Sequence, residues 1–111
     1  MNYQIIKKLP SLEALIQAIP LSKAAEKQVL NDRAEVKAIL AGEDSRLLMI
    51  IGPCSAWPKD AVLEYAKRLS ELNEKLNDTL KIVMRTYIQK PRTTKGWTGP
   101  VNQPDIHAAP D

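Results

Sequence analysis

Two segments of the chain carry apolar residues at the three- and four-residue spacing of an amphipathic helix. The first helix is predicted to begin after Ser22, a favourable N-cap residue, and to end near Leu40, because Ala41-Gly42 follows. Its apolar positions are Ala25, Val29, Val36, Ile39 and Leu40. The second is predicted from about Asp60 to Leu76. Its apolar stripe is Val62, Tyr65, Ala66, Leu69, Leu72 and Leu76, and its water-facing charges are Lys67, Arg68, Glu71 and Lys75.

Two shorter segments, Arg46–Ile51 and Leu80–Met84, predict strands, and the first is apolar at successive positions from Leu47 to Ile51. Apolar runs without alternation are typical of strands that are covered on both faces of a parallel sheet. Gly52-Pro53 ends the first strand, and the second begins about 34 residues after the start of the first, which is the length of one βαβ unit. We therefore expect two parallel, adjacent strands joined by the second helix.

The two ends of the chain carry weaker patterns. Residues 1–20 hold Leu12, Leu15 and Ile16 between Pro10 and Pro20, which indicates a brief helix or an arm that packs elsewhere. From Tyr87 onward, proline and glycine interrupt any regular element, so residues 96–111 are predicted to form a loop.

Composition excludes several classes of protein. With 111 residues, 44% hydrophobic and 26% charged, the chain is that of an ordinary globular domain rather than a disordered or collagen-like protein. No apolar run approaches the roughly 18 residues of a membrane span, and the start of the chain lacks a secretory signal, so we expect a cytoplasmic protein that does not bind membranes. A net charge of +3 with only 5% aromatic residues also argues against nucleic-acid binding.

The candidate chemistry lies directly after the two predicted strands. Gly52-Pro53-Cys54-Ser55 follows the first strand, and Arg85-Thr86-Tyr87 with Lys90-Pro91-Arg92-Thr93-Thr94 follows the second. Because parallel neighbours end at the same edge of a sheet, these residues are expected to lie together, at the edge where α/β proteins bind ligands. A thiol would then face a cluster of cations.

Cys54, the only cysteine, has three possible roles. These roles are a packed small side chain, a nucleophile and a metal ligand. A nucleophile needs a base to activate it, and the only histidine, His107, lies in the irregular tail. A single thiolate does not make a metal site, so any such site would need donors that the sequence pattern does not supply.

Arg85 and the loop after it indicate anion binding. A guanidinium at the end of a buried strand is costly unless a carboxylate or phosphate pairs with it, and a structural salt bridge is the alternative explanation. Lys90, Arg92, Thr93 and Thr94 place cations and hydroxyl donors on one short segment, which suits phosphate oxygens but is also typical of a solvated loop. Trp97 either packs this loop or lines a pocket, and the sequence leaves both open.

Four sequence blocks, in this order, resemble the type I 3-deoxy-D-arabino-heptulosonate 7-phosphate (DAHP) synthases. They are Ile50-Ile51-Gly52-Pro53-Cys54-Ser55, Val83-Met84-Arg85-Thr86-Tyr87, Lys90-Pro91-Arg92-Thr93-Thr94 and Gly96-Trp97. The resemblance implies an α/β fold, namely the first βαβ part of a truncated TIM (β/α)8 barrel that carries an N-terminal helical extension. Residues 1–44 would be the extension and residues 45–111 the first strands and helix of the barrel. The Lys-Pro-Arg-Thr-Thr run favours this family over the related KDO 8-phosphate synthases.

The resemblance also implies an activity and a set of site residues. Such enzymes condense phosphoenolpyruvate with erythrose 4-phosphate to give DAHP and phosphate, the first step of the shikimate pathway. Cys54 matches a ligand of the divalent metal, which is of the Mn, Fe, Co or Zn class. Arg85 and Lys90 match residues that hold phosphoenolpyruvate, with Lys90 also placed to assist proton transfer. Arg92, Thr93 and Thr94 match the loop that contacts erythrose 4-phosphate, and Pro91 is a further substrate-binding position.

The chain also departs from the family. Trp57 stands where many members carry histidine, which puts in doubt any hydrogen bond from that imidazole near the metal. A TIM barrel needs about 250 residues, and the family's remaining metal ligands lie downstream. We therefore expect an incomplete metal site in a fragment that is inactive by itself, whereas full-length members are expected to be homo-oligomers.

Two other functions are weighed against the enzyme. The first is a non-catalytic remnant or interaction module that retains a partial phosphate-binding site. The second is an all-helical regulatory domain of chorismate-mutase type, which the two predicted strands disfavour.

Overall fold

The computed structural model describes residues 4–5, 7–89, 96–97, 99–101 and 103–107, and these residues form three helices and two strands. In chain order the elements are α1 (Leu12–Ala18), α2 (Lys23–Leu40), β1 (Leu47–Ile51), α3 (Lys59–Leu76) and β2 (Leu80–Met84). Every predicted element is present, and its bounds agree with the prediction to within one residue wherever bounds were given. The described residues after β2 contain neither helix nor strand, as predicted.

The chain divides into two compact units, Met1–Lys37 and Ala38–Asp111. This division falls within α2. We predicted a domain boundary after residue 44, between an N-terminal extension and the first barrel strands. The division into two units does not test that boundary, which stays a prediction.

Side-chain caps start both helices of the first unit. The Ser11 hydroxyl accepts a hydrogen bond from the backbone N–H of Ala14 at 3.2 Å, and the Ser22 hydroxyl accepts one from Ala25 at 3.1 Å. Each bond satisfies one of the N–H groups that a helix start leaves without a partner in the helix. The predicted Ser22 cap is thereby confirmed, whereas the Ser11 cap was not predicted.

The turn after α2 ends the helix at the predicted glycine. Gly42 has a φ of +76° and donates its N–H to the Ile39 carbonyl at 3.1 Å, while Glu43 donates to Ala38 at 2.9 Å. Glycine tolerates this left-handed conformation because it has no Cβ.

A carboxylate–guanidinium pair joins this turn to the start of β1. Asp44 Oδ2 lies 2.8 Å from Arg46 Nη2, and Asp44 Oδ1 also accepts the Arg46 backbone N–H at 3.0 Å. Arg46 Nη1 reaches Asn77 Oδ1 at 2.8 Å, so the side chain connects the beginning of β1 to the end of α3. These hydrogen bonds from Arg46 hold the pKa of Asp44 below its ordinary value.

The two strands form a parallel sheet in which Leu47 pairs with Leu80 and Ile51 pairs with Met84. Helix α3 connects them and packs against β2. The predicted βαβ unit is therefore confirmed. On the edge of β2, the backbone N–H of Ile82 donates to Asn73 Oδ1 of α3 at 3.0 Å, which satisfies a strand donor with a helix side chain.

The prediction that β1 is covered on both faces is wrong for this structure. Leu47 is 62% exposed and Ile50 is 65% exposed, because one neighbouring strand and one helix cannot cover both faces. Among the described residues no hydrophobic side chain is fully buried, whereas Lys81 on β2 is only 5% exposed. None of the described helices is both long and apolar enough to cross a membrane.

Candidate functional site

The loops that follow β1 and β2 continue the contact between the two strands. The Arg85 backbone N–H donates to the Ile51 carbonyl at 2.9 Å, and the Ala56 N–H donates to the Tyr87 carbonyl at 3.1 Å. The expectation that these two loops share one edge of the sheet is therefore confirmed.

Gly52 allows this close approach of the two backbones. A Cβ built at this position would overlap the carbonyl oxygen of Arg85. Any larger residue would push the loop that carries Cys54 away from the end of β2.

Arg85 lies at this edge, directly after β2. Its Nη1 donates to the carbonyl oxygen of Pro53 at 3.1 Å, and its Cζ lies 4.3 Å from the centroid of the Tyr87 ring. Pro53 directly precedes Cys54, so the guanidinium lies beside the backbone of the Gly-Pro-Cys-Ser block.

The structural salt bridge considered for Arg85 is absent among the described residues, since none of their carboxylates pairs with it. The side chain is exposed, which leaves its other N–H donors accessible to a dissolved anion. Within this part of the chain, the arrangement fits anion binding better than a purely structural ion pair.

Cys54 is exposed at the same edge. In the described ranges, no group of three or more His, Cys, Asp or Glu residues could hold a metal ion. The described residues alone therefore do not make up a metal site, and a metal bound by Cys54 would need donors from elsewhere.

Lys90, Pro91, Arg92, Thr93 and Thr94 lie outside the described residues, so their predicted roles stay predictions.

The described segments before and after these five residues lie side by side. Val101 donates its N–H to the Ile88 carbonyl at 3.2 Å. Gly99 has a φ of +100°, and a Cβ there would lie 2.5 Å from the same carbonyl oxygen.

Two tryptophans pack the C-terminal loop against the loop after β1. The rings of Trp57 and Trp97 meet edge to face, with centroids 6.3 Å apart and an interplanar angle of 70°. Trp57 Nε1 donates to the Pro104 carbonyl at 3.2 Å, and Trp97 Nε1 donates to the Gln103 carbonyl at 2.8 Å. Of the two roles left open for Trp97, the structure supports packing of the loop.

The contact between the Tyr87 ring and the Arg85 guanidinium was not predicted from the sequence. The signal was available, because residues two apart in an extended segment place their side chains on the same face. Tyr87 follows Arg85 by two positions, immediately after β2.

The chain matches the DAHP synthetase I family over residues 19–110. It is 43% identical over 104 residues to the phospho-2-dehydro-3-deoxyheptonate aldolase of Corynebacterium glutamicum, covering 94% of this chain and 28% of that protein. It is 46% identical over 113 residues to the Phe-sensitive enzyme of the same name in Escherichia coli K12, covering 96% and 32% respectively.

A solved structure gives the same relation. The phospho-2-dehydro-3-deoxyheptonate aldolase of Francisella tularensis SCHU S4 matches with a TM-score of 0.89 and 40% sequence identity, covering 99% of this chain and 32% of that one. The chain thus spans about a third or less of the length of these relatives.

Proposed function

Because the chain belongs to the DAHP synthetase I family, we propose that it supplies the first part of an active site that condenses phosphoenolpyruvate with erythrose 4-phosphate. In this proposal, β1, α3 and β2 are the first strands and helix of a (β/α)8 barrel, and the preceding helices are its N-terminal extension. The parallel order of the strands and the similarity to the Francisella structure support this placement.

The single observation that carries the proposal is the Arg85 guanidinium, which lies beside the Cys54 loop without a carboxylate partner among the described residues. A cation held at the carboxyl end of a parallel strand is well placed for an anionic substrate. We assign Arg85 to the phosphate or carboxylate of phosphoenolpyruvate. By family resemblance, Lys90 is assigned to the same substrate, Arg92, Thr93 and Thr94 are assigned to erythrose 4-phosphate, and Pro91 is assigned to substrate binding.

The proposed reaction joins two carbon atoms and releases phosphate. The enol carbon of phosphoenolpyruvate attacks the aldehyde carbon of erythrose 4-phosphate, and water adds to the resulting cationic centre before the bond to phosphate breaks. Arg85 offsets the negative charge of phosphoenolpyruvate, and Lys90 assists the proton transfer to the aldehyde oxygen.

Cys54 is the one metal donor that we assign in this chain. A thiolate suits a divalent ion of the Mn, Fe, Co or Zn class, and such an ion, when bound, polarises the aldehyde. Its other donors would come from outside the described residues. That the 111-residue chain is inactive by itself stays a prediction.

An alternative function is a non-catalytic remnant or interaction module with a partial phosphate site. The observation that favours it is the lack of any fully buried hydrophobic side chain among the described residues, which leaves apolar surface available to pack against a partner. Phosphate binding at Arg85 would then persist without condensation.

A chimaera separates the two functions. This chain replaces the matching first part of the Francisella tularensis enzyme, and formation of DAHP is measured with both substrates and added divalent metal. If the chain is part of an enzyme, the chimaera is active and Cys54→Ser abolishes that activity. Ser70→Ala, at an exposed position on α3, is the control and should leave the activity unchanged. A folded chimaera without condensation would support the remnant instead.

A further inference from the structure

The Arg85 side chain makes two contacts that together fix its guanidinium. One is the hydrogen bond from Nη1 to the Pro53 carbonyl at 3.1 Å, and the other is the Tyr87 ring, whose centroid lies 4.3 Å from Cζ. An exposed arginine otherwise samples many rotamers. Here one side of the guanidinium is covered by the ring, and one of its donors is engaged by the backbone.

The backbone of Tyr87 is itself tied to the loop after β1. The Tyr87 carbonyl accepts the Ala56 N–H at 3.1 Å, and the Tyr87 residue is half-buried. The ring therefore projects from a segment that is tied to the same loop that carries Pro53 and Cys54. Arg85, Tyr87 and this loop form one connected unit.

This arrangement directs the donors of Arg85. A cation–π contact uses the face of the ring, whereas the N–H groups of a guanidinium lie in its own plane. The ring therefore holds the group without consuming its donors, unlike a carboxylate partner. Those donors remain available for the paired oxygens of a carboxylate or phosphate.

We propose that Tyr87 is a positioning residue that holds the Arg85 guanidinium in place for an anionic group of the substrate. The proposal rests on the proposed function for the identity of that substrate, but it concerns the aromatic ring rather than Arg85 itself. Ordering the side chain before the anion arrives reduces the entropy lost on binding. The aromatic ring of Tyr87 is the part that contacts the guanidinium.

Nuclear magnetic resonance of the full 111-residue chain tests this directly. The ring current of Tyr87 is expected to shift the side-chain resonances of Arg85, and titration with inorganic phosphate is expected to move them further. Tyr87→Phe, which keeps the ring, should preserve both the shift and the affinity. Tyr87→Leu should abolish the shift and weaken phosphate binding by about two- to fivefold, the ordinary size of an exposed cation–π contact.

Two variants serve as controls. Arg85→Gln should remove phosphate binding, and Thr86→Ala, at the exposed position between the two residues, should leave both the shift and the affinity unchanged. An Arg85 resonance without a ring-current shift, an absence of phosphate binding to the wild-type chain, or equal affinities in Tyr87→Leu and wild type would each overturn the inference.

Phosphoenolpyruvate separates this inference from the proposed function. If inorganic phosphate binds in a Tyr87-dependent manner while phosphoenolpyruvate does not bind, the positioning role stands and the assignment of the substrate fails. If inorganic phosphate and phosphoenolpyruvate each bind to Tyr87→Leu as tightly as to the wild-type chain, the positioning role fails and the substrate assignment stands.

Discussion

The guanidinium of Arg85 donates a hydrogen bond to the carbonyl oxygen of Pro53 across 3.1 Å, which joins the residue after β2 to the residue before Cys54. Two short strands and a connecting helix suffice to bring these positions together, although they are 32 residues apart in the chain. The thiol and the cation thereby reach one edge of the sheet.

Gly52→Ala is expected to destabilise the chain because its Cβ would overlap the Arg85 carbonyl. We expect a loss of about 1–3 kcal/mol in the free energy of unfolding, the usual cost of forced overpacking, as measured by urea denaturation. Gly42→Ala is the matched control. Its φ of +76° is also unfavourable for alanine, but nothing lies within 4 Å of the added Cβ, so its cost should be smaller, about 1 kcal/mol. Equal losses in the two variants would contradict the close approach at Gly52.

Asp44 is expected to make stability depend on pH in the acidic range. Hydrogen bonds from Arg46 lower its pKa in the folded chain below the ordinary value of 3.8, so the unfolded state takes up a proton at higher pH than the folded state does. The stabilisation is therefore present above the unfolded pKa and is lost as the pH falls through the folded pKa. Urea denaturation at a series of pH values measures this loss.

Asp44→Asn should reduce that acid-dependent loss, and Glu74→Gln, at an exposed position on α3, should retain it. An identical pH dependence in Asp44→Asn and wild type would show that the pair with Arg46 does not stabilise the fold.

Trp57 and Trp97 are expected to give an exciton signal in circular dichroism, because two indoles with centroids 6.3 Å apart couple strongly. Trp57→Phe and Trp97→Phe should each abolish the couplet, since either change leaves a single indole. Tyr65→Phe, on α3, should leave the couplet in place. A spectrum equal to the sum of two independent tryptophans would contradict the packing of the C-terminal loop on the β1 loop.

Local sequence patterns predicted the elements well, because each predicted element coincides with a local signal. Ser22 caps α2 through its own hydroxyl, Gly42 ends that helix through its own φ, and the predicted segment Leu80–Met84 is a strand. These signals act within a few residues, so they can be read without knowledge of tertiary contacts.

Burial and side-chain contacts were predicted less well, because they depend on what surrounds each element. An apolar run predicted that β1 is covered on both faces, yet Ile50 is 65% exposed here. The contacts of Trp57 with Trp97 and of Tyr87 with Arg85 depend on the backbone conformation of the loops after β1 and β2. No local sequence pattern specifies that conformation. The placement of Cys54 and Arg85 at one edge was predictable, since it follows from the parallel order of two strands alone.

The most direct test of the account is the KM for phosphoenolpyruvate of the chimaera with the Francisella tularensis enzyme. Steady-state kinetics are measured for its Arg85→Gln variant and for the control Arg68→Gln. Arg68 lies at an exposed position on α3, where it pairs with Glu64. Its loss should therefore leave the kinetics unchanged. Removing a charged hydrogen-bond donor at Arg85 should raise the KM for phosphoenolpyruvate by roughly ten- to a hundredfold, while the KM for erythrose 4-phosphate changes little. Kinetics for Arg85→Gln that match those of Arg68→Gln would contradict the claim that this edge of the sheet binds phosphoenolpyruvate.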